Sequence, residues 1–180
     1  MKWSFCYDSR TMIITYHGGQ CFKVSFGDTT LAFDPISKQS KLTATKFGAD
    51  VAFISLRHPN FIGIENVTHG SKTPFVVDGP GEYEIDDVTA RGYGVETTYA
   101  GEKRFNTIYQ VQLEGMNLIF LGAIGEPEID AKILGELGDI DILFVPIGGG
   151  VVVRQTLGHV RVTLRHVVEA CRRQLLAERR

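Results

Sequence analysis

An α+β fold of two β-layers with helices on their outer faces is what this 180-residue sequence predicts. Three features carry the prediction. The stretches "ITYHGGQCFKVSFGDTTLAFDP" and "NTIYQVQLEGMNLIFLG" alternate apolar and polar residues around tight-turn pairs, the mark of antiparallel meanders. The runs "ADVAFISL" and "DIDILFVPI" are continuously apolar and suit strands buried on both faces. Helical periodicity is confined to short stretches outside these strands. The pattern alone leaves other α+β arrangements open.

In chain order, three strands are expected between Met12 and Pro35, with Gly27-Asp28 as a two-residue hairpin turn. "ADVAFISL" supplies a buried strand. "TPFVVDGPGEYEIDDVTARGYG" adds two or three more, punctuated by Asp78-Gly79-Pro80-Gly81, and "VETTYAGEKRFN" reads as the loop that follows. The second meander turns at Glu114-Gly115. "EPEIDAKILGELG" reads as a helix with Pro127 in its first turn and Gly138 past its end, leading into the strand "DIDILFVPI". Finally, Val160, Leu164, Val167, Val168, Cys171 and Leu175 fall on one helical stripe, with Arg161, Arg165, Arg172 and Arg179 mainly off it, which predicts an amphipathic helix.

Length and a hydrophobic content of 43% suit one domain with a substantial core. No apolar run approaches the ~20 residues that span a bilayer, and "MKWSFCYDSR" lacks the apolar region of a secretory signal. Cys6, Cys21 and Cys171 form no CxxC pair, which suits a reducing compartment. A cytoplasmic protein without membrane attachment is expected. Charge divides at Gly150. Twelve Lys and Arg face nineteen Asp and Glu up to that point, a net of −7; beyond it seven arginines face two glutamates, a net of +5. The expected organisation is an N-terminal extension at 1–11, a domain at 12–150 and a basic amphipathic helical segment at 151–180.

"ITYHGGQCFKVSFGDTTLAFDPI", "GADVAFISLRHPNFIG", "PFVVDGPGEYEI", "NTIYQVQLEGMNLIFLGAIG" and "DIDILFVPIGGG" follow in order the landmarks of the metallo-β-lactamase-fold hydrolase superfamily, and the chain resembles its small bacterial lactonase-like branch. The resemblance implies a four-layer αβ/βα sandwich, here C-terminally shortened, with the site at one edge between the sheets. It also implies a metal loop of the form Thr-His-x-His-x-Asp-His, because zinc takes convergent imidazoles and carboxylates at ~2 Å and keeps a position open for the attacking water. That motif falls on Ser55-Leu56-Arg57-His58-Pro59-Asn60-Phe61, where His58 alone keeps a ligand type. The family's Gly-Asp-Thr-Gly falls on Gly122-Ala123-Ile124-Gly125, so Ala123 stands where the bridging carboxylate belongs. The histidine expected after "ARGYG" has no counterpart in "VETTYAGEKRFN". Past "FVPIGG" the family continues through a helix to a strand that delivers a further histidine; no such strand is legible here.

Asp34, His58, Asn60 and Ala123 are therefore expected to line the remnant of a site, with His58 its one candidate metal ligand. A lone histidine beside proline also reads as a hydrogen-bonded loop residue, and Asp34 in Asp-Pro as a turn initiator. Glu82 and Glu84, alternating about Tyr83, read as a solvated strand face rather than an acid/base pair. Three functions follow as expectations. The first is a non-catalytic, vestigial member with no cofactor. The second is a metal-dependent hydrolase of lactone or phosphoester type, with zinc held by His58, His17, His69 and carboxylates such as Asp34 or Asp78. The third is partner or nucleic-acid binding through the arginine-rich tail, against which stand the acidic body and a sequence pI of about 6.2. Sheet edges and the tail's apolar face would suit a homodimer.

Overall fold

The three strands expected after Met12 form as β1 (Ile13–Tyr16), β2 (Phe22–Phe26) and β3 (Thr29–Phe33), with Gly27-Asp28 closing the β2–β3 hairpin. These and the elements below come from a computed structural model, which describes residues 11–125 and 129–146 and, as a backbone strand, 164–170. The apolar run after Ala49 gives β4 (Val51–Phe53), every residue of it buried. A four-residue helix, α1 (Ile64–Val67), and β5 (Phe75–Val77) complete the first sheet, in the order β1-β2-β3-β4-β5. Its first three strands run antiparallel; β3-β4 and β4-β5 pair in parallel.

The second sheet opens with β6 (Gly81–Ile85), which turns at Asp86-Asp87 into β7 (Val88–Tyr99). β7 pairs along its whole length with β8 (Glu102–Leu113), from Val88 opposite Leu113 to Tyr99 opposite Glu102. The stretch "VETTYAGEKRFN", expected as a loop, is thus the outer half of a long hairpin turning at Ala100-Gly101. Period-2 side-chain placement carries both strands to the tip. β9 (Met116–Phe120) follows the expected Glu114-Gly115 turn, whose two residues take φ of 51° and 74°, the left-handed pair that a two-residue hairpin requires.

The helix expected from Glu126 begins later, as α2 (Ala131–Leu137). Asp130 caps it, its Oδ1 accepting from Lys132 N at 2.7 Å, and this cap outweighs the proline signal upstream. Pro127 lies outside the described residues. Gly138 ends the helix at φ 64°, as expected. β10 (Ile140–Pro146) is the expected buried strand and pairs in parallel with β9.

β11 (Leu164–Ala170) corrects the tail. These residues form a strand parallel to β10, with Leu164 opposite Ile140 and Ala170 opposite Pro146, where the helical stripe had pointed to a helix and no closing strand was legible. β10 offers an edge for this backbone to pair with, a long-range partner that helical periodicity does not reveal. The rest of the expected helix, and the extension before residue 11, lie outside the described residues. The second sheet reads β11-β10-β9-β8-β7-β6.

The main core lies between the sheets, with Phe22, Phe33, Phe53, Tyr109, Phe120 and Phe144 at its centre. Phe33 stacks on Phe53 at 5.0 Å and meets Phe120 at 4.9 Å, so the aromatic cluster spans both sheets. Val67 of α1 packs with Ala32 and Ala52 outside the first sheet, and Leu137 of α2 with Ile108 and Ile119 outside the second. Helix, sheet, sheet, helix is the expected four-layer order. Among the described residues, no helix is long and apolar enough to cross a membrane.

Candidate functional site

Chain direction decides where a site can form. β4 pairs in parallel with β3 and β5, and β9 in parallel with β10, and the segments leaving β4 and β9 meet where Ser55 faces Gly122. These segments are 54–61 and 121–125, the ones singled out from the sequence.

Asp34 sits at the end of β3, completely buried and at a φ of 42°. Its carboxylate is bound on both oxygens by one residue. Ser55 N donates to Oδ1 at 2.7 Å and Ser55 Oγ to Oδ2 at 2.6 Å. Burial pushes the carboxyl up to about 8, against the lowering pull of those two bonds, so Asp34 is mostly protonated at neutral pH. Nearby Cys21, also buried, has its thiol pushed up to about 12, first by burial and with Asp34 adding to it. It is therefore no nucleophile at ordinary pH.

Ser55 also ties the sheets together, because its carbonyl accepts from Thr107 N at 2.8 Å. Tyr109 OH donates to Ile54 O at 2.8 Å, with Val77 O at 3.1 Å, and burial pushes its phenol up. Opposite Ser55 stands Gly122 at φ 66°. A Cβ there would lie 2.4 Å from Ser55 Cβ and 2.6 Å from Asn106 Oδ1, so the first glycine of the 122–125 turn is required by both conformation and contact.

Ala123 is held from two strands. Asn106, fully buried in β8, accepts from Ala123 N at 2.9 Å and donates to Leu121 O at 3.0 Å. Thr97 of β7 donates to Ala123 O at 3.0 Å and accepts from Gly125 N at 2.8 Å. Around Ala123 the site is apolar. Leu56, Phe61 and Ala123, each at most 3% exposed, form one buried cluster with Tyr99 of β7 packed against it.

Asn60 is buried beside that cluster, with both ends of its amide engaged. Oδ1 accepts from Ser40 Oγ at 2.6 Å, and Nδ2 donates to Tyr99 OH at 2.8 Å. His58 accepts at Nδ1 from Asn60 N at 3.2 Å, and its ring meets Tyr99 edge-on at 5.0 Å. The structure thus brings His58, Asn60 and Ala123 to one place around Tyr99, and Asp34 alongside through Ser55 and Gly122. It does not gather the other candidates. His17 stacks on Phe47 at 4.6 Å and has its pKa lowered by burial and then by Lys23. His69 closes a backbone bridge with Lys72, and Asp78 pairs with Arg57 at 2.7 Å.

A metal does not fit these residues. The side chains of Leu56, Phe61 and Ala123 carry no donor atoms, the Asn60 amide is taken by neighbours, and among the described residues no three His, Cys, Asp or Glu side chains are placed to share an ion. Tyr99, Thr97, Asn106 and Ser40 were not singled out from the sequence, and Ser55 entered only as the first position of the metal-loop motif. The alternation of "TTYAGEKRF" about Ala100-Gly101 is the one signal that marks Tyr99 as a strand residue. Asn106 and Thr97 give none, because a buried polar residue in a strand is explained only by the turn that it binds.

Residues 13–166 match the family model described as a beta-lactamase superfamily domain, which runs past Gly150 into the first residues of β11. The chain is 26% identical over 168 residues to a UPF0173 metal-dependent hydrolase of Listeria innocua, covering 76% of this chain and 73% of that one. A UPF0173 metal-dependent hydrolase of Listeria monocytogenes is 28% identical over the same shares. In structure, the chain is similar to a metallo-beta-lactamase superfamily protein of Thermotoga maritima, with a TM-score of 0.67 and 25% identity over 88% of this chain and 75% of that one. It also shares its fold with Igni18, a metallo hydrolase of Ignicoccus hospitalis, at a TM-score of 0.62 and 18% identity, covering 88% and 82%.

Proposed function

The chain belongs to the metallo-β-lactamase superfamily, and from that premise we propose that it is a non-catalytic member, a binding or assembly module on a hydrolase scaffold. One observation carries the reading: Leu56, Phe61 and Ala123, which the sequence resemblance sets against metal ligands of the superfamily, are buried against one another. Hydrolysis in this class needs an ion to lower the pKa of water, and an apolar cluster with a saturated amide beside it cannot supply the ligands. The buried Asp34 is no substitute general base, since its carboxylate is enclosed by Ser55 and reaches no solvent. Fold alone does not restore the activity.

The metal-dependent hydrolases among its relatives favour a second reading, a zinc enzyme acting on a lactone or phosphoester through a site of different composition. A panel of lactone and phosphoester substrates, assayed with added zinc, manganese or iron, separates the two. Rates at buffer background with every metal support the non-catalytic reading; turnover abolished by chelator and by His58→Ala overturns it. The cysteines and bacterial relatives support a bacterial cytoplasmic setting. A homodimer is the partner that sheet edges suit best.

A further inference from the structure

Three segments that carry metal ligands in the superfamily meet here: the 55–61 loop, the 122–125 turn and the outer half of the β7–β8 hairpin. Something has to hold them together, because a loop cluster at the edge of a sandwich has few main-chain bonds to neighbouring strands. We propose that the chain Ser40–Asn60–Tyr99, seated on Leu56, Phe61 and Ala123, is a clasp that cross-links these segments in place of a metal and keeps the outer end of β7 closed over the 55–61 loop. The inference rests on the non-catalytic reading above.

Asn60 is the pin. Its amide is buried, so its oxygen and nitrogen both need partners, and it finds them on two other segments, Ser40 at 2.6 Å and Tyr99 at 2.8 Å. Ser40 is itself fixed, its Oγ accepting from Leu42 N at 3.0 Å. Tyr99 holds by its ring as well as its hydroxyl, edge-on to Phe61 at 5.2 Å and to His58 at 5.0 Å. Two residues back along the same strand, Thr97 grips the 122–125 turn through Ala123 O and Gly125 N. One strand therefore fastens both loops, the 55–61 loop through the Asn60–Tyr99 bond and the 122–125 turn through Thr97. A metal would fasten them with side chains directed inward at a shared point, whereas Asn60 and His58 are bound to neighbours.

Native-state hydrogen exchange tests the clasp. Tyr99→Phe keeps the ring and removes the oxygen that Asn60 reaches. The expected result is exchange faster by roughly tenfold at the amides of residues 57, 58, 60 and 61, the size of one lost buried hydrogen bond, with β9 and β10 unchanged. Asn60→Ala also loses Ser40 and should accelerate exchange further, but adding Tyr99→Phe to it should add nothing, because the Asn60–Tyr99 bond is then already cut. Zinc and chelator should leave wild-type exchange as it is. Equal exchange in Tyr99→Phe and wild type, with zinc inert, overturns the clasp alone. Zinc that slows exchange in the wild-type 57–61 loop overturns the non-catalytic reading and the clasp with it.

Discussion

Replacing Asp34 by Asn should change how stability depends on pH more than it changes the structure. Folding raises the Asp34 carboxyl from an ordinary value near 3.9 to about 8. Between those values the folded state holds a proton that the unfolded chain has released. Stability drawn from this group is therefore complete below about pH 4 and is lost as pH climbs towards 8. About four pH units at about 1.4 kcal/mol each give a loss on the order of 5 kcal/mol, a large part of the roughly 5–15 kcal/mol that holds a domain together. Asn has the same shape, does not titrate, and tolerates the left-handed φ of 42° at this position. Its oxygen can accept from Ser55 N, and its amide nitrogen can donate to Ser55 Oγ once that hydroxyl turns its own proton away. Urea unfolding of both proteins from pH 4.5 to 8.5 measures the difference. Asp34→Asn should gain on wild type steadily as pH rises and be the more stable protein at pH 8. Curves that run parallel across the range would refute a buried, protonated Asp34.

Three further substitutions probe the supports of the site by thermal or urea unfolding. Gly122→Ala combines a left-handed φ with a Cβ 2.4 Å from Ser55, so it should cost roughly 2–4 kcal/mol; a loss under 1 kcal/mol would mean that the turn moves aside freely. Tyr109→Phe leaves the carbonyls of Ile54 and Val77 without the hydroxyl and should cost about 1–3 kcal/mol, while an unchanged midpoint would deny that this bond ties the β4 and β5 ends to the second sheet. Leu56→Ala should cost about 2–5 kcal/mol if Leu56 is the packed floor described above, whereas neutral behaviour would place it in a loose or hydrated loop.

How far the sequence is legible depends on how local the deciding physics is. Gly27-Asp28 and Glu114-Gly115 announce their hairpins because turn geometry is settled by two residues, and "DIDILFVPI" announces a strand because both its faces are covered. The start of α2 is also local, yet two local signals compete, and Asp130 as a cap outweighs Pro127. β11 is legible only with β10 beside it. Its apolar residues follow a helical stripe in the sequence, and parallel pairing over a separation of more than twenty residues leaves no mark in a short window. The site divides in the same way. That Leu56, Phe61 and Ala123 offer no metal donors can be read from the letters. That they pack on one another under Tyr99, or that Asn106 and Thr97 pin Ala123, depends on strands distant in sequence.

Metal content tests the central claim most directly. The protein is purified after growth with added zinc, manganese and iron, and bound metal per chain is determined by elemental analysis for wild type and His58→Ala. A member whose metal positions are packed with Leu56, Phe61 and Ala123 should carry far less than one ion per chain, at a level that His58→Ala does not change. Near-stoichiometric metal that is lost in His58→Ala would contradict the account.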